Sequence, residues 1–220
     1  MKSRVLQRRE ATTVCAVEEK EAKKFPYSFY DMLFFFFFYA CAGWICEVIF
    51  AFFRTGGAFI NRGFLTGPVC PIYGFGILAV LLLCEPFRKK PLAVFALSAT
   101  ATTALELVVG VTSVRLLHTR LWNYSYMPLN LDGHICLAFS LIWGVACLAI
   151  FYGIHPLVAR LVKKIPRRVG MVILFVCSAA ILGDLAVHGI QIIRANFPQL
   201  SFEMLLHHAE NVRDLPGNLD

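Results

Sequence analysis

Five apolar windows, each long enough or nearly long enough to cross a lipid bilayer, leave this chain little choice of architecture. A helix rises 1.5 Å per residue and the hydrocarbon layer is about 30 Å thick, so a span takes roughly 20 apolar residues. The first window is Tyr30 to Phe53 and holds the run FFFFF at 34–38. The others are Pro68 to Cys84, Leu92 to Val114, Ile135 to Ala159 and Val169 to Ile193. The expected fold class is therefore all-α, a polytopic transmembrane helix bundle of about five spans. The second window is the weakest, because it reaches full length only with its Pro- and Gly-bearing start; a re-entrant segment is the alternative there. Only 16% of the 220 residues are charged, against about a quarter in soluble domains, which favours the membrane class.

Three parts follow from this reading: a basic cytoplasmic N-terminal segment (1–28), the helix bundle (29–194) and a polar C-terminal tail (195–220). The first 28 residues hold seven Lys or Arg and four Glu. The apolar stretch after them is too long for the h-region of a signal peptide, so it reads as an uncleaved first span. In the tail, Phe202, Leu205, Leu206 and Ala209 fall on one side of a short amphipathic helix.

Basic residues set the orientation. Lys plus Arg number 7 before the first span, then 2, 3, 2 and 5 in successive loops, and 2 after the last. Their excess belongs on the cytoplasmic side. The N-terminus is expected inside, the C-terminus outside and the first and third loops external, in a multi-pass protein of the cell membrane. The net charge of +7 comes from KKFP at 23–26, RKKP at 88–91 and KKIPRR at 163–168, which suit anchors to anionic membrane lipid. Charges so dispersed at span ends do not describe a nucleic-acid surface.

Acids inside hydrocarbon are expensive and face a protein interior or a water-filled cavity. Glu47, Glu106 and Asp184 qualify. Glu47 lies roughly 9 Å past the middle of its span, and the other two about 4 to 5 Å past theirs. All three spans run outward, so all three acids fall in the outer half. Around Glu106, the residues Ala99, Thr102, Thr103, Gly110 and Ser113 make a small polar stripe suited to close packing. Asp184 continues into His188 and Gln191 on one face. The plainer reading is that each acid is a protonated or hydrogen-bonded packing residue; three at one level point instead to a shared polar cavity.

Two irregular passages lie on that outer side. The first, NRGFLTGPVCPIYGFG (61–76), opens with Asn61 and Arg62. Irregular backbone near membrane depth survives only when buried in protein or lining water. Pro68 and Pro71 suit the first turn of a helix, Gly63, Gly67, Gly74 and Gly76 permit close backbone approach, and Arg62 is a natural counter-charge for Glu47 or Glu106. The second, LWNYSYMPLNLDGHICL (121–137), carries Trp122, Tyr124 and Tyr126, which fit an interfacial aromatic belt. Asn123, Asn130, Asp132 and His134 could build a polar lid or recognition loop.

No GK dipeptide occurs, which excludes a P-loop, so any ATPase belongs to another subunit; GxSxG, HExxH and the EF-hand pattern are absent too. Eight cysteines occur, mostly single and within spans, where Cys behaves as a small apolar residue. Cys70 and Cys136 stand in the two passages. They read as buried packing or as a disulfide between loops, which geometry would decide. A metal held by Cys70, His134 and Cys136 is the weakest of these readings, and no metal or cofactor is expected. His207 and His208 read as solvated.

The two passages, with GWICE at 43–47 and ALELV at 104–108, make the chain resemble the ABC-transporter type IV permease family, small bacterial polytopic membrane proteins. The similarity covers roughly Phe29 to Lys164. It implies Glu47, Arg62, Gly63, Gly67, Pro68, Cys70, Pro71, Tyr73 and Gly74 in the first half. In the second half it implies Glu106, Trp122, Tyr124, Ser125, Asn130, Gly133, Cys136 and Trp143. Asn123 departs from an Asp after the Trp, and His134 from an Arg after the Gly, so an acid and a base are weakened together; Asp132 beside His134 compensates in part.

Three functions remain open. One is a permease-like transport subunit in which Glu47, Glu106 and Asp184, with His188 beside them, bind a cation or relay protons and Arg62 tunes them. Its partner would be a separate ATP-binding subunit or a second copy. Another is a membrane enzyme acting on a lipid or polyprenyl head group, for which no nucleophile motif speaks. The third is a non-catalytic assembly or sensor component.

Overall fold

A computed structural model of the chain describes residues 25–61 and 65–196. Most of the basic N-terminal segment, Arg62, Gly63 and nearly all of the C-terminal tail, with its expected amphipathic helix and His207 and His208, lie outside the described residues. The described chain is a helical bundle. Helix α1 (Phe29–Arg54) opens on Ser28, whose hydroxyl accepts from the Asp31 N–H while the Asp31 carboxylate accepts from the Ser28 N–H at 2.9 Å. This reciprocal box satisfies donors that a helix start leaves unpaired. The helix ends where Gly56 and Gly57 adopt positive φ of 71° and 107°, conformations that favour glycine.

Helix α2 (Pro71–Cys84) has 14 residues, followed by a single 3₁₀ turn at Glu85–Phe87. At 1.5 Å per residue it is about 21 Å long, short of a bilayer. The missing length is non-helical: the Cys70 N–H donates to the carbonyl of Ala40, at 2.9 Å, well inside α1. The chain thus enters the bundle as irregular backbone and turns helical only partway down. Its far end, at Glu85 and Arg88, lies beside Tyr27, just before α1 begins. The second apolar window therefore begins at the level of mid-α1 and ends beside the start of α1, and its helix is shorter than the apolar helices long enough to cross a membrane.

Helix α3 (Pro91–Leu117) follows, then a loop with a two-residue ladder, β1 (Asn130–Leu131) against β2 (Ile135–Cys136). The return pass is α4 (Leu137–Ala149), one wide π turn at Ile150–Ile154, and α5 (His155–Lys164). Pro156 lies at the start of α5 and has no N–H to bond four residues back, which accounts for the widened turn before it. Helix α6 (Arg167–Asn196) completes the bundle.

Among the described residues, four segments are long and apolar enough to cross a membrane: Phe29–Arg54, Pro91–Leu117, Leu137–Lys164 and Arg167–Arg194. With α2 they make the expected all-α polytopic bundle. The core joins Phe35 and Tyr39 of α1, Val80 and Leu81 of α2, Val94 of α3 and Phe151 and Val158 of the return pass. Helices α1, α2, α3 and α4 pack in sequence order, whereas α6 touches α1 and α3 only lightly.

Close approach of α1 and α2 rests on two glycines. A side chain at Gly43 would strike the Tyr73 ring, and one at Gly74 would strike the Phe36 ring and, at 2.8 Å, the Phe36 carbonyl oxygen. Each helix thus offers a glycine to an aromatic of the other, an interlock that small residues make possible in lipid.

Candidate functional site

The end of the bundle carrying residues 55–61, 65–70 and 118–136 gathers most of the chemistry. Glu47 of α1 accepts a 2.7 Å hydrogen bond from Tyr73 Oη of α2. Glu106 of α3 is buried and accepts a 2.9 Å bond from Tyr124 Oη of the second loop. The indole of Trp143 approaches the same carboxyl group, yet no hydrogen bond of good geometry reaches Glu106 Oε2. Trp143 also stands edge-on to Tyr73, with ring centroids 5.7 Å apart. Two acids on different helices thereby share one network, Glu47–Tyr73–Trp143–Glu106–Tyr124. Burial and the Glu106 carboxylate hold the Tyr124 phenol well above its ordinary range, so it stays a donor.

Asp184 does something different. Its Oδ2 accepts the backbone N–H groups of Thr66 at 2.7 Å and Gly67 at 3.3 Å, and its Oδ1 lies 3.3 Å from His188 Nδ1. Two successive peptide donors on one carboxylate form a small anion cradle. The bonds of Asp184 therefore tie α6 to the first loop, and the expected trio becomes a pair plus an anchor.

The first loop is fastened from several sides. Asn61 Oδ1 accepts from Trp44 Nε1 at 2.7 Å, while its Nδ2 donates to the Thr66 carbonyl at 3.2 Å. Leu65 is fully buried. Gly67 lends its N–H to Asp184 and its carbonyl to Val69. Pro68 follows it, and Pro71 starts α2 where no N–H is needed.

The second loop folds on itself. Asp132 and Gly133 take left-handed φ of 48° and 68°, and Gly133 gives its N–H to Asn130 Oδ1 and its carbonyl to Tyr124 N–H. Trp122 Nε1 donates to the His134 carbonyl at 2.8 Å. Gly110 of α3 lies directly beneath His134 and Trp122, and a Cβ there would stand 3.0 Å from His134 Nδ1. Asp132 faces both His134 Nε2, at 3.6 Å, and Arg120 Nη2, at 3.8 Å. Arg120 thus supplies a base beside the His134 position, a pairing the sequence reading did not contain.

Cys70 and Cys136 are free thiols, and the disulfide between loops is not formed. Each is fixed separately, Cys70 as the cap of α2 bonded to Ala40 and Cys136 as the strand partner of Asn130. Among the described residues, no three His, Cys, Asp or Glu are grouped to hold a metal ion.

Sequence reasoning missed His155 and Tyr39, which meet at the other end of the bundle, and it missed the hairpin. The Asp132-Gly133 pair in the turn between Leu131 and Ile135 is a recognised hairpin signal; nothing comparable marks His155 except Pro156 beside it.

Apolar passes linked by structured loops, with one buried and one half-buried carboxyl group among aromatics towards one end, define a multi-pass membrane protein. The chain belongs to the family described as Putative ABC-transporter type IV, whose model matches residues 34–188. The match reaches past Lys164 to take in Asp184 and His188. Comparison with curated proteins found no match, and comparison with solved structures found none.

Proposed function

We propose that the chain is a permease-like transport subunit whose substrate path includes an acidic site formed by Glu47 and Glu106 in the outer half of the bilayer. The observation that carries this reading is Glu106: a buried carboxyl group with Oε2 lacking a partner, linked to a second acid, Glu47, only through the Tyr73–Trp143 ring contact. Intramembrane acids that are not closed off by full pairing belong to ion and proton pathways. Arg62 is the counter-charge that tunes the pair, Asp184 with His188 holds the first loop over it, and Asn61, Gly133 and His134 shape the two loops above. The bundle of 29–194 lies between a basic cytoplasmic segment, 1–28, and an external tail, 195–220. A separate ATP-binding subunit docks on the short basic loops, or a second copy completes the assembly.

The test is cation flux. In proteoliposomes, or with any copurifying subunit added, Glu47→Gln is expected to lower proton or monovalent-cation flux about ten- to hundred-fold, the worth of one charge-assisted hydrogen bond. Flux unchanged in Glu47→Gln would sink the acidic path. Turnover of a labelled lipid, lost in the same variant, would favour the enzyme instead.

The orientation has its own check. A cysteine in place of Leu129, which is 75% exposed, is expected to react with an impermeant maleimide added to intact cells. Protection there, with reaction only after lysis, would reverse the topology.

A further inference from the structure

The opposite end of the bundle holds a second polar group with no evident structural reason. His155, directly after the π turn, is 0% exposed. Its Nδ1 lies 3.4 Å from Tyr39 Oη, a long contact, and its Nε2 is buried without a partner. Phe35 and Tyr27 stand edge-on to the imidazole, with centroids 4.6 and 5.1 Å away. An unpaired buried nitrogen destabilises a fold, whereas an apolar side chain of similar size would not. Packing alone does not select histidine here.

A charged pair adjoins it. Glu85 and Arg88 form a bidentate pair, with contacts of 3.0 and 2.8 Å. The guanidinium lies over the Phe151 ring at 4.7 Å, and Tyr152 Oη donates to the Arg88 carbonyl at 2.8 Å. Arg88 is 36% exposed and Glu85 15%, so the pair stands between solvent and the interior. Both charges act on Tyr27, and both act on His155. Among the described residues, the titratable groups around the imidazole are therefore Tyr27 before α1, Tyr39 on α1, and Glu85 and Arg88 after α2.

The geometry points to His155 as a proton-binding station at the basic end of the bundle, separate from the acids at the loop end. With its Nδ1–H donated to Tyr39 Oη, the neutral ring keeps a lone pair on Nε2. A proton arriving past Glu85 and Tyr27 binds that lone pair and makes the imidazolium. The Glu85 carboxylate supports its charge, against the opposing charge of Arg88. Release along the same route restores the neutral ring.

The test needs no transport assay, so it stands apart from the reading of the acid pair. In the full chain, purified into nanodiscs and labelled with ¹⁵N-histidine, one ring signal is expected to vanish in His155→Gln. In the wild type that signal is expected to titrate reversibly as the pH is lowered across the range in which the protein stays folded. Glu85→Gln removes the compensating carboxylate and is expected to lower the midpoint. A signal that stays neutral over this range in folded protein overturns the proposal. So does a midpoint unmoved by Glu85→Gln, which decides the matter even if His155→Gln does not fold. His155→Leu is expected to fold at least as stably as the wild type; a clear loss of stability would mark the imidazole as a packing residue and overturn the station too.

Discussion

Glu106→Gln is expected to abolish transport while leaving the bundle intact. The amide is isosteric with the carboxyl group, and its oxygen still accepts from Tyr124 Oη, now at 2.9 Å from the acid. The second loop therefore keeps its tie to α3, and only the charge is removed. Flux is expected to fall about ten- to hundred-fold or further, since Glu106 is the more deeply buried of the two acids and hydrogen bonds to charged groups are the strong ones. Thermal unfolding in detergent is expected to move little. Glu106→Ala separates the two roles: it leaves the Tyr124 phenol without its acceptor, a loss of about 1–3 kcal/mol. That variant is expected to lose stability as well as flux. If Glu106→Gln transports like the wild type, the acid is a packing residue and the acidic path is wrong.

The glycine interlock is expected to give the largest loss of stability. In Gly43→Val the new side chain meets the Tyr73 ring, whose root at Cβ lies 2.6 Å from the added carbon. In Gly74→Val it meets the Phe36 carbonyl oxygen at 2.8 Å, which is backbone and cannot swing aside. Overpacking of this kind costs about 1–3 kcal/mol, and Gly74 belongs at the upper end. Displacing Tyr73 also breaks its bond to Glu47, so Gly43→Val is expected to lower flux even where folded protein is recovered. The double variant is expected to lose less than the two single losses added, because both push the same helix pair apart. Size-exclusion profiles and unfolding temperatures check this; unchanged values for either variant would mean that α1 and α2 do not pack as described.

Position along each helix was legible in the sequence, and azimuth was not. Span lengths and the level of each acid follow from counting residues along an apolar window, because the bilayer imposes one dimension. Which neighbour an acid faces depends on how helices arrange themselves around one another, and a single helix does not encode that. Hence Glu47 and Glu106, on helices within the sequentially packed group, meet in one network. Asp184, on the lightly packed α6, reaches the first loop instead. The second window's weakness was legible as well: its Pro- and Gly-bearing start is the irregular stretch that carries the chain down to Ala40. His155 could not be found by depth or motif, since its meaning comes from Tyr27, Tyr39, Glu85 and Arg88, which three other parts of the chain supply.

That irregular descent has an electrostatic consequence. Because α2 starts partway through the bundle, the positive end of its aligned peptide dipoles is set within the protein instead of in solvent. Tyr73 lies in its first turn and leans back toward that start, as helical side chains do, and Cys70, its cap, feels the Glu47 carboxylate directly. Glu47 therefore sits against a fixed fraction of positive charge that belongs to the backbone, worth about 0.3–1 kcal/mol at an exposed site and more when partly buried. No proton can remove that charge and no side-chain substitution can delete it.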